Sequence, residues 1–558
     1  MEENNNEKVT NEVIEENNLV TEEQNEAVEE ILTQEENNTL TEKKKSKKPV
    51  IIIAVLLLAV IIAVTCFLLF GGEKKDDGKE NIVTSTDEKA SPLRLSGNGL
   101  ENFDLEFLKL EDNGKNVVYS PLSIKYMLAM LNEGTEGNSN AQIKALIGDY
   151  KPNKYENNAN MSLANVFFVK NDIKEDIKST FVEVLKEKYN ADVVYDEFKE
   201  PTKVNDWIKN KTLNLIDKLL DKIDPDDLFY IVNALGIDME WYSKFIPEYD
   251  RGYTGYVSYP HIIFFWDTMI IGQNFNGSTD ANDQVVGMEV GASFMNYDVI
   301  KAHGGEDAYR KELTEWHINC YNNLDETRKF TAEDVSKEVD EVINSVKEAY
   351  RDEKLSTDFS LYVDDNVKVF AKDLKEYNGR TLQYVGFMPI NEELSAFIKN
   401  VDASKLTDYI NKLKPAKGSS FKQDVNTKIT GYIPMFKYEY NLNLKDDLKQ
   451  LGVTDIFDLE TAKLGKIIDK PVFINKALHK ANIDFNDKGI KASATSLGGG
   501  AGNTNGPCYY EEKVPYEEID ISFNKPYMYI VRDKSTGEVW FTGSVYQPLK
   551  WNEVENQQ

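Results

Sequence analysis

The sequence predicts an α+β domain carried behind a membrane anchor, and three observations lead there. Helix-like and strand-like segments mix over residues 97–550 without a regular β–α repeat, which excludes a doubly wound parallel sheet. A nearly unbroken apolar run, Val50 to Phe70, stands apart from that region behind a lysine cluster. The chain carries a net charge of −30 over 558 residues, with 41% hydrophobic residues, so a sizeable core can form beneath an acidic surface. That acidity excludes nucleic acid as a partner, since phosphate contacts need clustered Lys and Arg, and favours solubility. The three cysteines, Cys66, Cys320 and Cys508, are too few and scattered for a disulfide framework or a zinc site. No structural bridge is expected.

Residues 1–48 read as a disordered tail rich in Glu, Asn, Thr and Gln, ending in the basic run Lys43 to Lys48. Residues 50–70 span about 31 Å as a helix, the thickness of a bilayer core, and are too long and too far from the start for a secretory signal. The basic cluster places the N-terminus in the cytoplasm and the bulk of the chain outside. Charged residues 71–96 then form a tether. In the folded region, Phe103, Leu105, Phe107, Leu108 and Leu110 suit a first helix. Ser120 to Leu131 suits a second helix, with Pro121 at its start. Leu163 to Val169 reads as a strand, Ile177 to Tyr189 as an amphipathic helix, and Lys203 to Leu220 as another helix with Trp207, Ile208, Leu215, Ile216 and Leu219 inward. Leu228 to Leu235 has the continuous apolar character of a strand buried on both faces. Residues 250–356 change character, first aromatic and Gly-rich, then helical and acidic. Strand character resumes from Phe359. Tyr527 to Val545 is a hairpin turned at Ser535 to Gly537, followed by a short tail at 551–558.

The stretch from His479 to Pro526 is organised differently from the rest. Ala481, Ile483 and Phe485 alternate with Asn482, Asp484 and Asn486 as in a half-buried strand. After Gly489 comes a run of small residues, Ala492 to Thr495, then a glycine-rich tract from Gly498 to Gly502. A plain solvent loop would carry Asn, Asp and Pro. Small residues suit a segment that is exposed first and fits later as a strand between others.

Catalytic signatures are missing: the chain has no HExxH, GxSxG, P-loop, CxxC or GxGxxG motif in context, so no enzyme and no cofactor is expected. His261, His303 and His317 lack ligand-like spacing and read as packed side chains, with no metal expected. The acidic pairs Asp226–Asp227 and Glu511–Glu512 read as solvated charge. His479, in its strand context, suits a structural hydrogen bond.

Dispersed motifs in a fixed order carry a resemblance. They include NVVYSPLSIKYMLAML with GTEGNS, SLANVFFV, FVEVLKEKYNADVVYDEF, VNDWIKNKT, IVNALGIDMEW, IPMFKYEYNLNLKDDLKQLGVTDIF, LHKANIDFNDKG, and FNKPYMYIVRD with FTGSV. Across roughly 97–550 the chain resembles the serpins, the loop-presenting protease inhibitors. The resemblance implies an α+β fold of three sheets and about nine helices with an exposed reactive loop. A target serine protease would attack that loop and form an acyl-enzyme. The cleaved loop would then enter the main sheet as an extra strand and distort the enzyme. The resemblance also places sheet-opening control at Ser120, Ser123, Asn233 and His479, a polar cluster expected to be mutually hydrogen-bonded, and at Trp241 beside the upper sheet.

Against the family pattern the resemblance makes a segment within 250–356 an addition, and two further departures bear on inhibition. The hinge reads Gly489, Ile490, Lys491, Ala492, Ser493, Ala494, Thr495, where the family carries an acidic residue in place of Lys491. Strand alternation puts Ile490, Ala492, Ala494 and Ser496 on one face and Lys491, Ser493, Thr495 and Leu497 on the other, so the charge stays outward. The loop is also about a dozen residues longer than usual for the family. A tether of about 14 residues at 3.3 Å each, roughly 46 Å, puts the scissile bond at Asn503–Thr504. The expectation is a monomeric, single-pass, membrane-displayed inhibitor of serine proteases on a cell exterior, with features that fit a bacterial surface protein. The alternatives are a non-inhibitory serpin-fold display module and a cross-class inhibitor of cysteine proteases.

Overall fold

The computed structural model describes residues 93–243, 270–294, 296–324, 327–351, 356–490 and 515–552. The expected spanning segment, 50–70, lies outside them. Among the described residues no helix is long and apolar enough to cross a membrane.

The chain begins with α1 (Phe103–Glu111), β1 (Val117–Tyr119), α2 (Pro121–Gly134), α3 (Gly137–Ile147) and β2 (Met161–Lys170). It continues through α4 (Ser179–Tyr189), β3 (Asp192–Asp196), α5 (Thr202–Lys211), β4 (Phe229–Ile237), β5 (Met239–Glu240), β6 (Ile270–Gln273) and β7 (Val285–Phe294). Next come α6 (Val299–Ala302), α7 (Glu306–Leu324), α8 (Ser336–Arg351), β8 (Ser356–Val363), β9 (Val367–Asp373) and β10 (Leu382–Pro389). The last part holds α9 (Leu394–Asn400), α10 (Ala403–Asn411), β11 (Lys414–Lys417), β12 (Asn426–Pro434), β13 (Phe436–Leu442) and α11 (Leu444–Gln450). It ends with β14 (His479–Phe485), β15 (Gly489–Ile490), β16 (Tyr516–Asp520), β17 (Tyr527–Asp533) and β18 (Val539–Val545).

These strands make a seven-stranded sheet ordered β1-β18-β17-β10-β9-β8-β11 and a four-stranded sheet ordered β16-β12-β7-β6. A third sheet is divided into the halves β3-β2-β4 and β13-β14-β15-β5. β5 continues the line of β4 after Asp238, so one strand line belongs to both halves. The expected mixture of helices and sheets is thus observed. The described helices number eleven, above the expected nine, because α6, α7 and α8 lie in the added segment.

Local sequence explains most element boundaries. The Ser120 side chain accepts from Ser123 N at the start of α2, and Pro121 occupies the first helical turn where no amide donor is needed. The helix expected over 203–220 stops at Lys211, because Leu213 and Asn214 both adopt positive φ, at 55° and 60°. Ile216 and Leu220 still reach the core from an irregular segment, while the Thr212 hydroxyl accepts from Ile216 N. The hairpin β17–β18 turns through Gly537 at φ 78°, in the expected place.

The added segment packs on itself. Tyr309 and Leu313 of α7 meet Val339, Val342, Ile343 and Val346 of α8 in a cluster separate from the main core. Its root is tied to the β7–β12 end of the four-stranded sheet. Asn296 donates to Gly418 O and Lys422 O at 3.0 Å, and Tyr297 N donates to Asn426 Oδ1. Cys320 on α7 is disulfide-bonded, against the expectation of no bridge, with its partner outside the described residues. Wide spacing in sequence did not keep this cysteine unpaired in space.

Under the seven-stranded sheet α1 and α2 bury a charge pair. Lys125 Nζ lies 2.5 Å from Asp104 Oδ1, with both side chains fully buried. Burial pushes the Asp104 carboxyl above its ordinary pKa, against the opposing pull of Lys125. Removing one member leaves a buried charge, whereas replacing both with apolar groups does not. We expect Lys125→Met to cost about 3 kcal/mol in denaturant unfolding. Adding Asp104→Leu should recover most of that loss.

Candidate functional site at the open centre of a sheet

The halves of the third sheet are joined at one end by two residues. β15 pairs antiparallel with β14, Phe485 opposite Ile490, and with β5, Ile490 opposite Met239 and Gly489 opposite Glu240. Beyond that point no backbone ladder joins β4 to β14. β4 was expected to be buried on both faces. Instead Phe229, Ile231, Val232 and Asn233 are only half-buried, because the neighbouring strand position beside them is open.

At the joined end the geometry is tight. A Cβ on Gly489 would stand 2.1 Å from Met239 O, so only glycine lets β15 come this close. Asn486 builds the turn out of β14, its Oδ1 accepting from Lys488 N at 2.9 Å and its Nδ2 donating to Asp484 Oδ1 at 2.9 Å. Trp241 is fully buried. Its backbone N–H donates to Lys488 O and its indole N–H to Asn486 O, at 2.9 and 2.8 Å, and its ring meets Phe485 edge-on. Ile490 is 2% exposed. The other hinge residues, Lys491, Ala492, Ser493, Ala494 and Thr495, lie outside the described residues, as do Asn503 and Thr504.

In the middle, Ser120, Ser123, Asn233 and His479 line one small cavity of about 20 Å³. Ser120 N donates to His479 Nε2 at 2.9 Å, which requires a neutral ring with its proton on Nδ1. Burial holds this imidazole down at about 4. Asn233 turns away and donates to Asn165 Oδ1 at 2.7 Å. Its own Oδ1 and the Ser123 hydroxyl are buried without a partner. The expected mutual bonding of the four side chains is therefore not present. The cluster is split between the two sheet halves, Ser120 with His479 and Asn233 with Asn165, and the cavity lies between them.

At the far end, Asp227 overturns its reading as solvated charge, being 3% exposed. Its carboxylate accepts from Lys476 Nζ and Asn475 Nδ2 at 2.8 Å and from the Tyr230 hydroxyl at 2.5 Å. Burial alone would raise the Asp227 pKa, but these donors outweigh it and hold the carboxyl below its ordinary range. Sequence reasoning missed this group because the segments preceding β4 and β14 carry no mark of meeting in space. Of the histidines in the added segment, His303 pairs with Glu312 at 2.8 Å and the His317 ring contacts Leu313 O at 2.8 Å.

The family model described as Serpin (serine protease inhibitor) matches residues 103–289 and 355–548, more than half of the chain. The chain belongs to the serpin family. The gap between the two matched stretches holds α6, α7 and α8. Human neuroserpin is 23% identical over 467 residues, covering 80% of this chain and 89% of that protein. An uncharacterised serpin-like protein of Methanosarcina acetivorans is 22% identical, covering 81% and 86%. Among solved structures, the thermophilic serpin tengpin in its native state superposes with a TM-score of 0.52 at 21% identity, covering 84% of this chain and 96% of that one. Thyroxine-binding globulin in complex with thyroxine gives 0.52 at 15% identity, covering 80% and 99%. Serpins are generally serine protease inhibitors and not enzymes.

His479 makes the middle of the opening sensitive to acid. Its folded pKa lies below its ordinary value of 6.5, so the neutral form stabilises the fold. That contribution is fully present above about pH 6.5 and is lost as pH falls through about 4. Thermal unfolding across this window should show a falling midpoint. In His479→Gln the fall should be shallower by the histidine's share.

Proposed function

We propose that this serpin inhibits a serine protease by suicide cleavage, with residues 491–514 as the bait and the opening between β4 and β14 as the receiving slot. The observation that carries this reading is β15, two residues of the hinge already paired on both sides at the head of an otherwise unladdered opening. Continued residue by residue, that register would set Ala492 and Ala494 on the inward face behind Ile490. Ser496 would stand opposite both Asn233 and His479. A hydroxyl would then arrive where Asn233 Oδ1 and Ser123 Oγ have no partner. Lys491 would come opposite Asp238 and Asp484, so the basic residue that departs from the family pattern meets acidic neighbours in this chain.

The chemistry belongs to the protease. Its serine attacks the carbonyl carbon of Asn503, the bond to Thr504 N breaks, the new amine leaves protonated, and an ester joins enzyme to loop. The residues from Ile490 to Asn503 span roughly 46 Å as a strand. Entry of that strand carries the acyl-enzyme along the sheet before water can reach it. The serpin's own residues supply a slot, a register and a fixed tether length. We place the domain on the outer face of a membrane, anchored by Val50 to Phe70 with the lysine cluster inside, and favour a bacterial surface. The glycine tract at 498–502 favours a second reading, a non-inhibitory display module, because glycine weakens a strand.

Incubation of the full chain with a panel of serine and cysteine proteases, followed by denaturing gels, separates these readings. Inhibition gives a covalent complex with the loop cut at Asn503. Cleavage with neither a complex nor a gain in thermal stability would overturn it. Ile490→Asp places a charge at a position that is 2% exposed, and should abolish the complex while leaving cleavage intact.

A further inference from the structure

The far end of the opening is held by a compact polar clamp. Asp227 and Asp224 precede β4, and Asn475 and Lys476 precede β14. Lys476 Nζ lies 2.8 Å from both Asp227 Oδ2 and Asp224 Oδ2, and Asn475 reaches Asp227 Oδ1 at the same distance. Asp227 also accepts from Asp224 N at 2.9 Å, and Lys445 of α11 donates to Asn475 O at 3.1 Å, so both sides are braced from behind. The Asp227 side chain is 1% exposed and that of Lys476 19%, which sets this pair apart from Lys470–Asp176 and Lys178–Asp469 in more exposed positions nearby.

A strand between two neighbours holds them about 9.5 Å apart, twice the ladder spacing. Asn475 and Asp227 are short side chains in direct contact and cannot stay bonded across a guest backbone. The register of β15 tells which guest residues would arrive here. Counting from Phe485↔Ile490 and Met239↔Ile490, residue 499 falls opposite Lys476 and Tyr230, and residue 502 opposite Asp227. Those rows read Gly499, Gly500, Ala501, Gly502. The guest brings no side chain larger than a methyl to replace the bonds it must break. Above it, rows 490–497 bring an apolar, small or charge-matched residue at each position.

We propose that the Lys476–Asp227 clamp is a lock on the last stage of strand entry, matched to the glycine tract, so that insertion runs freely to Leu497 and completes only when the clamp opens. This rests on the insertion reading above. It makes Lys476 and Asp227 control residues for how much attacking protease is trapped and how much escapes.

The test nicks the loop of the full chain with a protease and follows the rate at which the chain gains heat resistance. Lys476→Met with Asp227→Asn removes the ion pair without stranding a charge and should complete insertion about tenfold faster, in line with the loss of a charged hydrogen bond. Lys476→Arg keeps the pair and should retain the wild-type rate. The double variant should also raise the fraction of protease found in covalent complex. If the wild type gains heat resistance and the double variant does so at the same rate, the clamp proposal is overturned while insertion stands. If the wild type gains none after nicking, insertion and clamp fall together. A double variant that melts lower in both uncut and cut forms, with an unchanged insertion rate, assigns the clamp a structural role only and also overturns the proposal.

Discussion

Two strand edges face each other in this molecule, and among the described residues only two supply backbone ladder between them. β4 and β14 carry the same obligatory donors and acceptors as any strand, and β15 satisfies them only at one end. Much of the surrounding chemistry follows from that incompleteness. Residues of β4 that a closed sheet would cover are half-buried, polar side chains near the middle lack partners, and charged groups cross-link the far end.

The rest of the fold is built to hold those edges still. The seven-stranded sheet and α2 form a packed block beneath the opening, with Trp540, Tyr384, Tyr527 and Tyr529 fully buried. Tyr438 of β13 donates into that block at Ser544 O and meets the Tyr529 hydroxyl at 2.9 Å, tying one half-sheet down. Asn165 ties the other half to α4 through Tyr189 O. One half is thus anchored to the seven-stranded sheet and the other to a helix.

Strong periodicity carried far in the sequence. The alternation of Ala481, Ile483 and Phe485 is the buried face of β14, and Pro121 and Ser120 marked the start of α2 because their roles are local. Gly489 was placed in the hinge by the resemblance, but the reason no other residue fits there is a carbonyl at Met239, remote in sequence. Lys203 to Leu220 kept a helical pattern through residues whose backbone turns left-handed, so apolar spacing survived while the helix did not. Asp227 looked like one more charge in an acidic turn. Its partner Lys476 is 249 residues away, and only folding shows that the two meet. The same limit applies to Cys320, and to Asn233, whose side chain bonds to Asn165 and not to His479.

The shared register of the two edges has a consequence for how the hinge can vary. Rows of β4 and β14 are in step, since Met239 and Phe485 both face Ile490, and the same offset relates Asn233 to His479. Any guest is therefore read by both walls at once, and side chains change face at every residue. In the proposed mode of entry, adding or removing one residue between Gly489 and Lys491 would turn Lys491 to the face of Phe485 and the alanines to the other face. A change of two would keep the faces and shift the rows. In the proposed mode of entry the slot would work as a parity gauge on hinge length, strict along the inserting rows and indifferent past the proposed cut, which would leave the long remainder of the loop free to be rewritten without disturbing the wall that receives its beginning.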